Sequence, residues 1–154
     1  MTVREFSPGD ELAFRRLNEE WIVRYFGLEP RDVEILADPA GIILAPGGRI
    51  FFAVRNGETV GCCALLAAGP GEFEVAKMAV TASAQGEGVG RRLLETVIAE
   101  ARRSGATRLS LETNSKLAPA IRLYESLGFR HLPSDRIPAS SYTRADTFME
   151  LRLT

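Results

Sequence analysis

Apolar residues follow two rhythms along this chain, a spacing of three or four near the start and an alternation of two through the middle. Phe14, Leu17, Trp21 and Tyr25 recur at the helical interval and place one apolar stripe on a helix. Ser7-Pro8-Gly9-Asp10 reads as the turn and cap before it, and Gly27 and Pro30 interrupt it. A second short helix is predicted over residues 31–37, broken by Asp38-Pro39, with a turn at Ala45-Pro46-Gly47-Gly48. Strand patterns follow over residues 50–54, 59–67 and 73–80, joined by the Asn56-Gly57 hairpin turn and by Gly69-Pro70-Gly71. Their order reads as an antiparallel meander.

A long helix comes next, in which Val89, Leu93, Val97 and Ala101 share a face with Leu94 and Ile98, and Gly105 supplies the stop. Residues 107–113 alternate as a strand. Pro119 suits the first turn of a further helix carrying Ile121, Tyr124 and Leu127, ended by Gly128. Two closing strands are expected around residues 129–132 and 147–153, with a polar loop at 133–144 between them. The architecture is α+β: a meander, one strand–helix–strand crossover, then a helix and two strands.

Length makes this one domain, residues 1–154, large enough for a hydrophobic core. The net charge is −1, so no basic field argues for a nucleic-acid partner. No run approaches the roughly 18 apolar residues of a membrane span. Residues 1–6 lack the basic-then-apolar order of a signal peptide, and a cytoplasmic protein is expected. Cys62 and Cys63 are neighbours that alternate across a strand, which reads as two buried small residues rather than a disulfide or metal site. His131 is the sole histidine, so no metal site is expected, and neither is a serine triad.

The chemistry concentrates at Gln85-Gly86-Glu87-Gly88-Val89-Gly90, between a strand and a helix. Glycines at alternate positions remove the β-carbons that would keep a ligand from the backbone. The segment runs into Arg91-Arg92-Leu93-Leu94, so its amides lie at the positive end of a helix dipole, a place suited to a phosphate or pyrophosphate. No Lys follows the glycines, as a nucleoside-triphosphate loop requires. Arg91 stands where a dinucleotide motif has its third glycine, although Glu112 lies at the distance of that motif's acidic residue. The glycines also begin five residues past the strand, and too little chain follows for further βα units.

The segment matches the Q/R-x-x-G-x-G/A signature of the GNAT superfamily of N-acetyltransferases. The likeness continues in Leu111-Glu112-Thr113-Asn114, in Pro119-Ala120-Ile121, in Leu123-Tyr124-Glu125-Ser126-Leu127-Gly128-Phe129 and in Phe148-Met149-Glu150-Leu151. It covers residues 73–153 closely, and the helix–helix–meander order before them agrees. The resemblance implies a mixed central sheet flanked by helices: an antiparallel meander, a splayed parallel strand pair and a C-terminal hairpin. It implies acetyl-CoA as donor, a small-molecule or peptide amine as acceptor, direct attack in a ternary complex, and a homodimer as a candidate assembly. A CoA-binding regulatory module without catalysis is the alternative.

Residue roles follow from the same resemblance. Pantetheine pairs with the fourth strand at Met78, Ala79 and Val80; the pyrophosphate meets Gln85, Gly86, Gly88, Val89, Gly90 and Arg91; Asn114 and Tyr124 flank the thiol end. Tyr124 is the expected proton donor to the departing thiolate, against a plain core aromatic. Glu74 is the expected general base, against a solvated edge charge. Alternation places it on the face of Met78 unless a bulge intervenes. A backbone amide near Met78 is the expected oxyanion donor. Glu87 would repel a pyrophosphate, so its side chain is expected to point to solvent. Glu112 is read either as structural or as bordering the acceptor cleft. Trp21, Tyr25 and Phe26 border the acceptor pocket or pack the core, and Asp135, Arg136, Tyr142 and Arg144 are candidates for reading the acceptor.

Overall fold

The computed structural model describes residues 1–154. The elements run β1 (Thr2–Glu5), α1 (Glu11–Tyr25), α2 (Pro30–Ala37), β2 (Arg49–Arg55), β3 (Glu58–Ala67), β4 (Glu72–Val80), α3 (Val89–Arg103), β5 (Arg108–Thr113), α4 (Ala118–Ser126), β6 (Arg130–His131) and β7 (Thr147–Arg152). They form one seven-stranded sheet in the order β1-β2-β3-β4-β5-β7-β6. The meander, the crossover and the closing hairpin stand as expected, and Asn56 and Gly57 both take positive φ in the β2–β3 turn.

Four features depart from the expected pattern. β1 was not expected, because four residues, mostly exposed, give too short an alternation to recognise; it extends the meander by pairing antiparallel with β2. Asp10 does not cap α1, since its carboxylate accepts from Arg4 at 2.7 Å and from the Ser7 amide at 2.7 Å. Residues after Pro39 wind into a π-helical turn, Ala40–Leu44. The first of the two closing strands is also shorter than expected, at two residues.

Each sheet face carries its own core. On one, α3 presents Leu93, Leu94 and Val97 to Phe51, Leu65 and Leu109. On the other, Phe14 and Leu17 of α1 and Ile35 of α2 meet Ile50 and Phe52. Burying each such side chain is worth about 1.5–3 kcal/mol. The cysteines behave as expected: both are buried free thiols, Cys62 in the second core and Cys63 in the first.

Two irregularities create the site. β4 and β5 pair in parallel only from Glu72↔Arg108 to Glu74↔Ser110, and beyond that the strands splay apart. β4 also bulges: between the pairs Cys62↔Ala79 and Ala64↔Ala76 it carries two residues, Lys77 and Met78, against Cys63 alone. Lys77 takes the left-handed conformation, φ 52°. The bulge reverses the side-chain phase. Val75 and Met78 pack on the α3 side, whereas Glu74, Ala76 and Lys77 face α1 and α2. The bulge is the exception to simple alternation, and it puts Glu74 on the opposite face from Met78.

Candidate active site

The splay between β4 and β5 opens a groove of about 460 Å³. Met78, Ala79 and Val80 line it from β4, and Gln85, Gly86, Gly88, Val89, Gly90 and Arg91 from the loop and the start of α3. The Gln85 side-chain amide donates to the Val80 carbonyl at 3.0 Å and pins the loop to the strand end. Gly86 and Gly88 have φ of 79° and 82°, and a β-carbon on either would meet nothing within 4 Å. Glycine is needed there for the backbone, and the surface above it stays open. Gly90 differs: its β-carbon would come within 3.5 Å of Leu123 Cδ2.

None of the amides of residues 86–91 donates to a backbone carbonyl; the first intrahelical bond is Arg92 N–H to the Gly88 carbonyl at 3.1 Å. A row of free N–H donors thus meets the positive end of α3, which is the cradle a pyrophosphate requires. Glu87 is turned out of the groove, as expected of its side chain, and its carboxylate pairs with Arg55 at 3.1 Å. Arg91 donates to Ser126 Oγ at 2.7 Å, bridging α3 to α4 at the groove edge.

Tyr124 projects from α4 into the same groove with only 8% of its surface exposed. Burial raises its phenol pKa, so it stays protonated. No completely buried polar side-chain atom is without a partner, and the Tyr124 hydroxyl, which bonds to nothing in the chain, opens onto the groove.

A second cavity, about 70 Å³, adjoins the groove on the α1–α2 side and shares Trp21, Ala76, Lys77, Glu112, Thr113 and Leu117 with it. Glu74 lies in this smaller cavity. Burial, then the neighbouring Glu112, pushes its carboxyl up to about 7. Glu112 is raised by burial too, despite a hydrogen bond from Ser140 at 2.9 Å. Tyr142 and Arg144 reach this cavity; Asp135 and Arg136 do not line it, and Arg136 instead pairs with Glu150 at 2.6 Å. Trp21 lines both spaces, Tyr25 the groove and Phe26 the cavity.

Asn114 departs from the expected placement. It lines the smaller cavity rather than the groove, and both ends of its amide serve the chain: Nδ2 donates to the Arg144 carbonyl at 2.7 Å and Oδ1 accepts from the Lys116 amide at 2.8 Å.

Asp32 was missed at the sequence level. It is fully buried and accepts from Lys77 Nζ at 2.6 Å, from Arg144 Nη1 and Nη2 at 2.7 Å each, and from the Glu29 amide at 2.9 Å. Burial alone would raise its carboxyl, but these donors outweigh it and hold the pKa down to about 2. Lys77 also donates to the Tyr142 hydroxyl at 3.0 Å, and the Arg144 guanidinium lies 4.4 Å from the Tyr142 ring centre. One carboxylate thus ties α2, the β4 bulge and the loop before β7 together. Glu29-Pro30-Arg31-Asp32 carries the capping-box pattern that places Asp32 at the start of α2, but no local pattern foretells its distant partners.

Residues 14–129 match the acetyltransferase (GNAT) family. The IAA acetyltransferase of Azospirillum brasilense is 35% identical over 144 residues, 92% of this chain and 90% of that protein. A mycothiol acetyltransferase of Thermomonospora curvata is 33% identical over 88% of this chain, which spans 46% of that protein. Among solved structures, a GNAT-family acetyltransferase from Staphylococcus aureus superposes with a TM-score of 0.89 at 20% identity, covering 99% of both chains. The yncA protein of Salmonella typhimurium, solved with its cofactor acetyl-CoA, gives 0.73 at 27% identity, covering 100% of this chain and 94% of that one.

Proposed function

The chain belongs to the acetyltransferase (GNAT) family, and from that premise we propose that it transfers an acetyl group from acetyl-CoA to a primary amine by direct attack in a ternary complex. The observation that carries this reading is the row of free amides over residues 86–91, at the head of a groove that also holds the unpartnered Tyr124 hydroxyl. Those amides fit a pyrophosphate, and the unpaired stretch of β4 beyond Glu74 fits the amide chain of pantetheine. Bound acetyl-CoA supplies an activated acyl group on a thioester whose sulfur departs as a thiolate.

The bulge gives the two substrates separate approaches. Met78 belongs to the groove side, whereas Glu74 faces the smaller cavity across the gap between β4 and β5. Glu74, with its carboxyl near 7, takes a proton from the incoming ammonium directly or through one water. A backbone amide near Met78 faces the developing oxyanion, and Tyr124 gives its phenolic proton to the sulfur. The Asn114 amide positions the Arg144 segment rather than touching the donor.

The deciding experiment incubates the protein with acetyl-CoA and a panel of amines, reading free thiol and the mass of the acetylated product. Thiol release dependent on an amine, with a 42 Da product gain about equal to one acetyl group, is expected. Saturable CoA binding with no turnover across the panel would support a regulatory module instead.

A further inference from the structure

We infer that the acceptor seated beside Glu74 and Glu112 is an amine with no carboxylate on the carbon bearing its nitrogen, an inference that rests on the acetyl-transfer reading above. The charged groups lining the smaller cavity are Glu74, Lys77, Glu112 and Arg144. Both cations are already engaged: Lys77 by Asp32 at 2.6 Å, Arg144 by Asp32 at 2.7 Å and by Glu29 at 3.4 Å. Two positive charges are thus matched by two negative ones, and Glu74 and Glu112 remain as surplus. Neither forms an ion pair, and Glu112 receives only the Ser140 hydroxyl.

The other nearby cations offset this balance only in part: Arg31 favours the charged Glu74 carboxylate through space, but less than burial, Glu112 or Lys77 act on it. Arg31 points from α2 toward Glu34 at 3.5 Å, and Lys116 is exposed on the groove rim with its ammonium 5.6 Å from the Phe26 ring centre. The carboxylate pair is also tied to the reacting end of the groove. Glu112 lines both spaces, and the Tyr124 hydroxyl, with no partner in the chain, opens into the groove that Glu112 borders.

An ammonium placed between Glu74 and Glu112 supplies the missing countercharge and hydrogen-bond donors to both. A free amino acid brings a carboxylate two bonds from that nitrogen, into the reach of the same acidic pair. No unengaged buried cation stands ready to receive it, so the pocket repels that group. Amino-acid amides, peptide N-termini and simple alkylamines share the accepted chemistry.

The test compares alaninamide with alanine, at equal concentrations of the neutral amine, in thiol-release kinetics and in calorimetric binding to the CoA-loaded protein. Alaninamide is expected to lead by roughly tenfold or more in kcat/KM and in affinity, and Glu112→Gln is expected to shrink that ratio. Ethylamine and alanylalanine separate a small-amine source from a peptide terminus. Equal or reversed preference in calorimetry overturns the inference whatever the turnover. If calorimetry shows the preference while no amine is acetylated, the charge selection stands and the transfer reading falls. A thermal shift with acetyl-CoA checks that Glu112→Gln remains folded.

Discussion

Along the larger groove the exposed surface is main chain: free amides over residues 86–91, an unpaired length of β4, and glycines that keep side chains away. The smaller cavity behind it is walled by side chains from α1, the β4 bulge, β5 and the loop before β7, clamped from outside by Asp32 of α2. Main-chain recognition constrains sequence to small residues at fixed spacing, and it suits one unchanging ligand. Side-chain recognition leaves each position free to vary, which suits an acceptor that differs between relatives. The two regions should therefore fail differently when perturbed.

The largest effect is expected at Asp32. Asp32→Ala leaves Lys77 and Arg144 buried without their shared carboxylate, a loss of about 3–5 kcal/mol of unfolding free energy in a denaturant titration. Asp10→Ala, which breaks the more exposed pair with Arg4, should cost about 1 kcal/mol or less. Similar losses in both would mean that the Asp32 cluster does not hold the acceptor side. The same carboxyl sets an acid limit. Its folded pKa lies below the unfolded value of 3.8, so its stabilisation is present at neutral pH and is lost as pH falls from about 4 to about 2.

Tyr124→Phe comes next. It keeps the ring and removes the hydroxyl that opens onto the groove, and turnover should fall roughly a hundredfold while KM for acetyl-CoA stays within about twofold. Full turnover would return Tyr124 to the role of a core aromatic beside Phe129, whose ring centre lies 5.9 Å away.

Glu74 makes a smaller and pH-dependent prediction. A base must be ionised to accept a proton, so with its carboxyl near 7 the rate should climb about tenfold per pH unit below that value and level off above it. Glu74→Gln should abolish that climb. An unchanged profile would place the base elsewhere, with Glu112 the nearest candidate.

Gly88→Val tests the donor side against its own strain control. A β-branched residue at φ 82° strains the loop, and Gly47→Val at φ 110°, also with open space around its β-carbon, imposes comparable strain far from the groove. Gly88→Val alone should weaken acetyl-CoA binding, by roughly tenfold, because its side chain occupies the ligand's approach to the amides. Equal CoA affinity in the two variants would remove the cradle.

The same contrast explains what the sequence disclosed. The glycine spacing and the Tyr-x-x-x-Gly-Phe context are local patterns, and both are legible in the sequence. The face Glu74 takes depends on whether β4 bulges, and the sequence leaves that open: one extra residue at Lys77 inverts an alternation that is otherwise sound. The strain of that left-handed Lys77 is sustained by its buried contact with Asp32, 45 residues away in the chain, which no local pattern encodes. The surroundings of Asn114 are hidden from the sequence for a related reason: its amide donates to the Arg144 carbonyl, 30 residues further on.

The smallest effect probes the one misfit within the donor loop. Glu87 sits among amides that suit an anion, and its exposed ion pair with Arg55 draws the carboxylate away from them. Arg55→Ala frees that carboxylate to approach the cradle, where it competes with phosphate for the N–H donors and repels it. CoA affinity should fall by roughly twofold to fivefold, the scale of an exposed pair. Adding Glu87→Gln should restore it, since the competing charge is gone. Because both groups are exposed, the difference should fade as salt is raised toward 1 M, where the screening length is about 3 Å. If Arg55→Ala leaves CoA binding unchanged at low salt, the pair does nothing for the groove, and backbone geometry alone keeps Glu87 turned away.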